Sequence, residues 1–261
     1  MTLGSIMNVP FEYYDYTDNP FSFFSKHHIN ALLVLVGIYI LIFLFRKKLR
    51  NPKIDVKMCY IIAAALILQE VSLSIWRLYN GAWHPGTSLP LHLCGASIVL
   101  SAIMLINKNY TLFEINYFWG LGGAIQALIT PDIGMYGFPH YRFFQFFTSH
   151  GLIIVAVLYM VFVYQYAPKH RSIWRVFGIT LIYTVFIAIF NLIFKGNYLF
   201  ICWKPENGSI MDAMGPWPWY IVPLAMVAII SFYIWYAPFA IRNAIKRREV
   251  EKSIYVPTGL D

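Results

Sequence analysis

Five polar side chains, each in a separate apolar stretch, are the residues best suited to chemistry: Glu70, Cys94, Gln126, His150 and Asn191. A polar group in hydrocarbon costs free energy, so such groups usually face the interior of a helix bundle and serve a function. A thiol and an imidazole could act as nucleophile and base. His150 would take the proton of Cys94, and the thiolate would attack an acyl carbonyl. The product would be a thioester on Cys94.

The other three polar groups could support this pair. Glu70, Gln126 or Asn191 could orient the imidazole or donate hydrogen bonds to the developing oxyanion. Glu70 could equally pair with Arg77, which lies seven residues further on and therefore on the same helix face.

Cys94 also has two simpler interpretations. A lone cysteine in a membrane helix is usually a small packing residue. In an oxidising compartment, Cys94 could instead form a disulfide with Cys202. No metal site is expected, because the histidines have no short ligand spacing, and no cofactor is expected either.

The composition indicates a membrane protein. Of the 261 residues, 59% are hydrophobic and only 12% are charged, more apolar surface than a soluble domain of this length could bury. The net charge of +8 comes from basic clusters beside apolar segments. Membrane topology explains that charge better than a nucleic-acid partner does.

Seven apolar segments are long enough, or nearly so, to cross about 30 Å of hydrocarbon. The sequence therefore predicts an all-α polytopic membrane protein, a bundle of about seven transmembrane helices. The predicted segments are Ile29–Phe45, Met58–Leu78, Leu89–Ile106, Leu112–Thr130, Phe143–Tyr166, Trp174–Phe194 and Trp217–Ala237.

The basic clusters predict the orientation. Residues 46–50, 169–175 and 242–248 fall on one side when seven helices are threaded. By the positive-inside rule that side is cytoplasmic, which leaves the N-terminus outside. Three regions follow: an extracytoplasmic N-terminal tail (1–28), a transmembrane domain (29–237) and a basic cytoplasmic C-terminal tail (238–261). The N-terminal tail carries Glu12, Asp15 and Asp18 and is expected to be an uncleaved segment.

Threading also places the five polar groups in one depth band. With a rise of about 1.5 Å per residue, four of them lie roughly 6–12 Å below the outer ends of their helices, and Asn191 lies about one turn below its own. The candidate site is therefore expected to face the extracytoplasmic side of the cell membrane.

The outer connections are rich in aromatic and polar side chains. These could form an interfacial aromatic belt, or a lid over a cavity open to the outer leaflet. The candidates for substrate binding at this level are His92, Tyr141, Arg142, Trp203, Asp212 and Trp217.

Several motifs carry a family resemblance. Leu89-Pro-Leu-His-Leu-Cys94 opens the third segment, and Gly215-Pro-Trp-Pro-Trp-Tyr220 opens the seventh. Tyr117-Phe-Trp-Gly120 and His140-Tyr-Arg-Phe-Phe-Gln145 lie between them. With these motifs the chain resembles the YwaF-type integral membrane family, related to the eukaryotic transmembrane protein 164. The resemblance runs from about the second segment to the seventh.

The resemblance implies an acyltransferase that acts on membrane phospholipids without acyl-coenzyme A. By position, Cys94 would carry the acyl group and His150 would assist. Two alternatives remain open. A lipid or small-molecule transporter or receptor could use the same pocket for binding, and a structural protein could use the polar groups only to hold its helices together.

Overall fold

The computed structural model describes Phe11, Tyr13 and residues 19–205 and 210–254. This part of the chain contains eight α-helices, two short 3-10 turns and no β-strand. The predicted acidic tail residues Glu12, Asp15 and Asp18 lie outside it. The helices are α1 (Lys26–Leu49), α2 (Pro52–Tyr79), α3 (Pro85–Ser88), α4 (Leu93–Asn107), α5 (Tyr110–Ile129), α6 (Tyr141–Phe162), α7 (His170–Phe194) and α8 (Ile221–Ile254), and the 3-10 turns are Tyr198–Phe200 and Ile210–Met214.

Within the described residues, five helices are long and apolar enough to cross a membrane: α1, α2, α6, α7 and α8. Their outward faces expose large apolar side chains, such as Leu33, Ile182 and Leu192. In water such surfaces would be costly, whereas lipid accommodates them. The all-helical, multi-pass class predicted from the sequence is therefore confirmed.

The other two predicted spans, α4 and α5, differ from these five. α4 has 15 residues, which gives a length of about 22 Å. α5 has 20 residues, and its stretch 113–121 is buried without a break. It also carries the buried polar residues Glu114 and Asn116. α5 is thus surrounded mainly by protein.

Several predicted boundaries were wrong. α2 begins at Pro52, because Asn51 caps the helix and proline suits its first position. α4 begins only at Leu93, after an extended Leu89 and a turn. α8 continues to Ile254, so the last helix extends beyond the predicted span and through residues 238–254. That extension is rich in Arg, Lys and Ala, which favour helix.

α4, α5 and α6 form the centre of the bundle and pack against one another. Lys108, in the left-handed conformation, ends α4, and Asn109 caps α5. The predicted tight turn and antiparallel pairing are therefore confirmed. A Cβ on Gly120 of α5 would lie 2.8 Å from Ile153 of α6, so glycine allows this close approach.

The bundle has two unlike ends. One end, called the basic end here, carries Arg46, Lys47 and Lys48 in the last turn of α1. The opposite end carries α3 and the two 3-10 turns and is called the loop end.

Asp55 links three elements at the basic end. Its carboxylate accepts hydrogen bonds from the hydroxyl groups of Tyr159, at 2.9 Å, and Tyr164. Lys108, in the turn between α4 and α5, lies 4.0 Å away. Asp55 therefore joins α2 to the end of α6 and to that turn.

Replacing Asp55 with alanine is expected to destabilise the fold. Two tyrosine hydroxyls would lose a charged acceptor, at a cost of about 2–4 kcal/mol. Denaturant unfolding of the purified protein would measure the loss. Glu251→Ala is the matched control, since its pair with Arg247 is exposed and such pairs contribute about 0.3–0.5 kcal/mol. Equal losses in the two variants would contradict the linking role of Asp55.

Candidate functional site

Cys94 lies in the first turn of α4, at the loop end, and keeps part of its surface accessible. Its sulfur packs against α5 at Gly123, where an added Cβ would lie 2.8 Å from Sγ. All three cysteines of the chain are unpaired. The suggested disulfide between Cys94 and Cys202 is therefore not present. Because Gly123 has no side chain, the Cys94 sulfur can occupy the space beside it.

The imidazole of His150 is oriented by its own helix. Its Nδ1 lies 2.8 Å from the carbonyl oxygen of Phe146. A carbonyl can only accept, so Nδ1 carries the proton and Nε2 keeps its lone pair. The ring also packs on the Phe146 ring, with 4.2 Å between centroids. The backbone of α6, and not Glu70, Gln126 or Asn191, therefore orients the ring, contrary to that expectation.

Cys94 and His150 lie at one level of the bundle. Gly120 of α5 meets Ile153 of the antiparallel helix α6. Gly123 and His150 are each three residues from that contact toward the loop end, a rise of about 4.5 Å. Cys94 packs on Gly123 and so shares the level of His150. No hydrogen bond joins these two described side chains. They lie at the same level on two helices, α4 and α6, that pack against each other.

Charged groups gather between this level and the loop end. Glu70 of α2 lies within electrostatic reach of Arg77 and Arg142. His150 lies within electrostatic reach of Arg142, and His92 lies within electrostatic reach of Arg77. Glu70 and Arg77 do not form the ion pair considered from the sequence. Instead, the Arg77 guanidinium donates to the carbonyl oxygen of Ser88 at 3.0 Å.

Two glutamines that the sequence analysis missed hold Arg142. The Arg142 guanidinium donates to Gln145, whose amide nitrogen donates to Gln69 at 2.7 Å. The Gln69 amide nitrogen is buried, with no partner among the described residues. Both glutamines are polar residues within apolar segments, the signal that identified Gln126, and it could have found them.

Asn191 holds the loop end together. Its amide accepts from the Tyr198 nitrogen at 2.9 Å and donates to the Tyr198 oxygen at 3.0 Å. Burial raises the pKa of the Tyr198 hydroxyl, so it stays protonated and donates to the carbonyl of Pro85 at 2.8 Å. The ring of His92 packs edge-on against Tyr198. Asn191 and His92 therefore position this loop, and the amide of Asn191 is already engaged.

The other predicted residues occupy two kinds of place. Gln126 is exposed on α5, one turn beyond Gly123 toward the loop end. Tyr141 is the first residue of α6, and its hydroxyl forms a 2.6 Å hydrogen bond with Ser72 of α2. The remaining three are exposed side chains of the loop before α8: Trp203, Asp212 and Trp217.

The loop before α8 is held by hydrogen bonds between its own residues. Trp217 donates from its indole nitrogen to the Ile201 carbonyl at 3.0 Å, and Lys204 reaches the Asp212 carbonyl at 3.4 Å.

Among the residues with assigned structure, no three His, Cys, Asp or Glu side chains gather as a metal site.

Comparison with known protein families gives a match over most of the chain. The sequence model of the TMEM164 family matches residues 23–236, a stretch that includes α1 to α7 and the beginning of α8. No curated protein and no solved structure matches the chain. The match covers most of the chain and includes the motifs around Cys94 and His150. The chain therefore belongs to the TMEM164 family and is a multi-pass membrane protein.

Proposed function

We propose that the protein is a membrane-embedded acyltransferase that moves a fatty acyl chain between phospholipids, or onto another lipid acceptor, without acyl-coenzyme A. The observation that carries the proposal is the Cys94 thiol, which packs against Gly123 at the level of the His150 imidazole. The Nε2 atom of that imidazole has no hydrogen-bond partner among the described residues and is available to act as a base. Membership of the TMEM164 family supports the proposal, because this family is associated with acyltransferase activity.

The reaction has two steps. Nε2 of His150 takes the proton of Cys94, and the thiolate attacks an ester carbonyl of the donor phospholipid. The carbon–sulfur bond forms, the ester carbon–oxygen bond breaks, and the proton passes from His150 to the lysophospholipid oxygen. An acceptor hydroxyl then attacks the thioester while His150 takes its proton. The chain leaves on the acceptor and the thiol is restored.

The developing oxyanion needs a hydrogen-bond donor. Gln126 is the candidate, because its amide lies one turn from Gly123 and forms no hydrogen bond with any other residue of the structured part. Glu70 is retained as an electrostatic partner of Arg142, where its charge offsets one of the two nearby arginines.

We further propose seven spans, in which α4 and α5 cross the membrane together with the five long apolar helices. The N-terminus lies outside and the C-terminus in the cytoplasm. The basic end holds the charged last turn of α1, Arg171 and Arg175 of α7, and the basic stretch 242–248 of α8. The positive-inside rule assigns that end to the cytoplasm. The candidate site then faces the extracytoplasmic side, where acyl-coenzyme A is absent.

Intact-protein mass spectrometry tests the acyltransferase proposal. The purified chain is incubated with phospholipid in nanodiscs, treated with or without hydroxylamine, and then digested. The expected result is a hydroxylamine-sensitive acyl mass that maps to the peptide containing Cys94. A folded, lipid-bound protein without an adduct, or an adduct only on Cys59 or Cys202, would overturn the mechanism.

His150→Gln is expected to slow formation of the thioester by about 10²–10⁴-fold, the usual contribution of a general base. Glutamine has a similar reach but cannot take the thiol proton. The time course of adduct formation measures the change, with thermal unfolding as a check on folding. His170→Gln, at an exposed site on the basic end, is the control. If the two variants reacted at the same rate, His150 would not be the base.

A further inference from the structure

Two arginines near the candidate site lie close together without an ion-paired carboxylate. Arg77, near the end of α2, and Arg142, at the start of α6, each follow directly on one ring of a packed pair, Trp76 and Tyr141, whose centroids are 5.6 Å apart. Glu70 is the carboxyl group that acts on both, and within the described chain neither arginine forms an ion pair with it or with any other acid. The three groups therefore carry a net positive charge at the loop end, which an anion would balance.

Most hydrogen-bond donors of this pair are unused. A guanidinium has five N–H groups in a planar fork. The described contacts use one side-chain donor group of Arg77, toward the Ser88 carbonyl, and one of Arg142, toward Gln145. The chain from Arg142 through Gln145 ends at Gln69, which is 9% exposed and whose amide nitrogen lacks a described partner. That nitrogen is a further unused donor in the same network.

The position of the pair relates it to the proposed reaction. Arg142 acts electrostatically on His150, two turns along α6. Arg77 acts on His92, two residues before the candidate nucleophile Cys94. An anion held by the two guanidinium groups would therefore lie beside the site, on the side of the loop end. A ligand that fits must carry an anionic group for the two arginines and, in the same molecule, an acyl ester that reaches Cys94.

We infer that Arg77 and Arg142 together bind the phosphodiester group of the donor phospholipid and so position its acyl ester at Cys94. The inference rests on the proposed function and adds the recognition element. Phosphate oxygens accept the paired N–H groups of guanidinium in a bidentate geometry, and Gln145 with Gln69 fixes the orientation of Arg142. Inorganic phosphate offers the same oxygen atoms, so the test must separate a lipid headgroup from the free anion.

The experiment compares the full-length protein with Arg77→Gln and Arg142→Gln in micelles of an uncharged detergent. Loading of Cys94 is followed against the mole fraction of phosphatidylglycerol, and bound lipid is counted by native mass spectrometry. Diacylglycerol with the same chains is the ligand without phosphate. Arg171→Gln is the matched control, because that arginine is exposed at the basic end.

Arg77→Gln and Arg142→Gln are each expected to raise the half-saturating mole fraction of phosphatidylglycerol by about tenfold or more, the effect of losing a charge-assisted hydrogen bond. The maximal loading rate should change less than this. Diacylglycerol should load wild type and variants equally poorly, and Arg171→Gln should behave as wild type. If a glutamine variant does not fold, Arg77→Lys keeps the charge but removes the fork, and an intermediate half-saturation is expected.

The outcomes separate the two proposals. Phosphatidylglycerol binding that depends on both arginines, without any adduct on Cys94, would support the phosphodiester site and overturn acyl transfer. Loading that is equally efficient from diacylglycerol and unchanged in the variants would overturn the phosphodiester site and leave acyl transfer standing. Inorganic phosphate that binds as tightly as the lipid, and blocks it, would assign the site to a free anion and overturn the inference.

Discussion

Cys94→Ala is expected to abolish the acyl adduct while the protein still folds and still binds phospholipid. Alanine cannot carry a thioester. The other two thiols are poorly placed to replace it, because Cys59 is buried at the basic end beside Lys108 and Cys202 belongs to the loop before α8. Folding should persist, since alanine is small and favours helix. Intact mass and native mass spectrometry measure the adduct and the bound lipid separately.

Cys202→Ala is the control for this variant, since it removes a partly exposed cysteine at the same end of the bundle. It is expected to load at the wild-type rate. An adduct that persists in Cys94→Ala would remove Cys94 from the mechanism. If neither protein were loaded and both bound phospholipid equally well, a binding or transport role would replace the enzyme.

Gly123→Ala is expected to give a large loss of rate without replacing a reactive residue. Its new Cβ would lie 2.8 Å from the Cys94 sulfur, closer than the two atoms can approach, so the thiol must move. A displacement of about 1 Å in a reacting group can cost about 10²-fold in rate. The loading time course should fall by about that factor. Thermal unfolding should change little, because alanine is the better helix former.

Gly178→Ala provides the matched comparison for Gly123→Ala. Gly178 lies in the middle of α7, and a Cβ added there would meet nothing within 4 Å. Both variants make the same chemical change in a helix, but only one presses on the thiol. Equal loading rates would show that the position of the Cys94 sulfur against α5 does not matter to the reaction.

The membrane class and the rough positions of the long helices could be predicted from the sequence because apolar length alone determines them. Their ends could not. Asn51 with Pro52 forms a capping pair that begins α2 six residues before its first predicted residue, although that pair could have been recognised. The burial of α5 was also missed, because hydropathy does not distinguish a helix surrounded by protein from one that meets lipid.

The candidate site was predicted in part for a similar reason. Threading placed the polar groups at similar depths, and the structure puts Cys94 and His150 at a common level. Depth says nothing about direction around a helix. It therefore did not reveal that Asn191 binds the backbone of Tyr198, or that a carbonyl of α6 orients His150. Those roles depend on contacts between loops and helices that no spacing in the sequence encodes.

The hydrogen bonds of Asp55 fasten α2 to α6 at the basic end. The axial distance from Asp55 to Arg77 along α2 is about 33 Å, at 1.5 Å per residue. Nearer the loop end, Gln69 and Ser72 of α2 form hydrogen bonds with Gln145 and Tyr141 of α6. The two helices that carry Arg77 and Arg142 are therefore fastened to each other at both ends. A phospholipid has to fit a separation between these arginines that the fold sets before the lipid arrives.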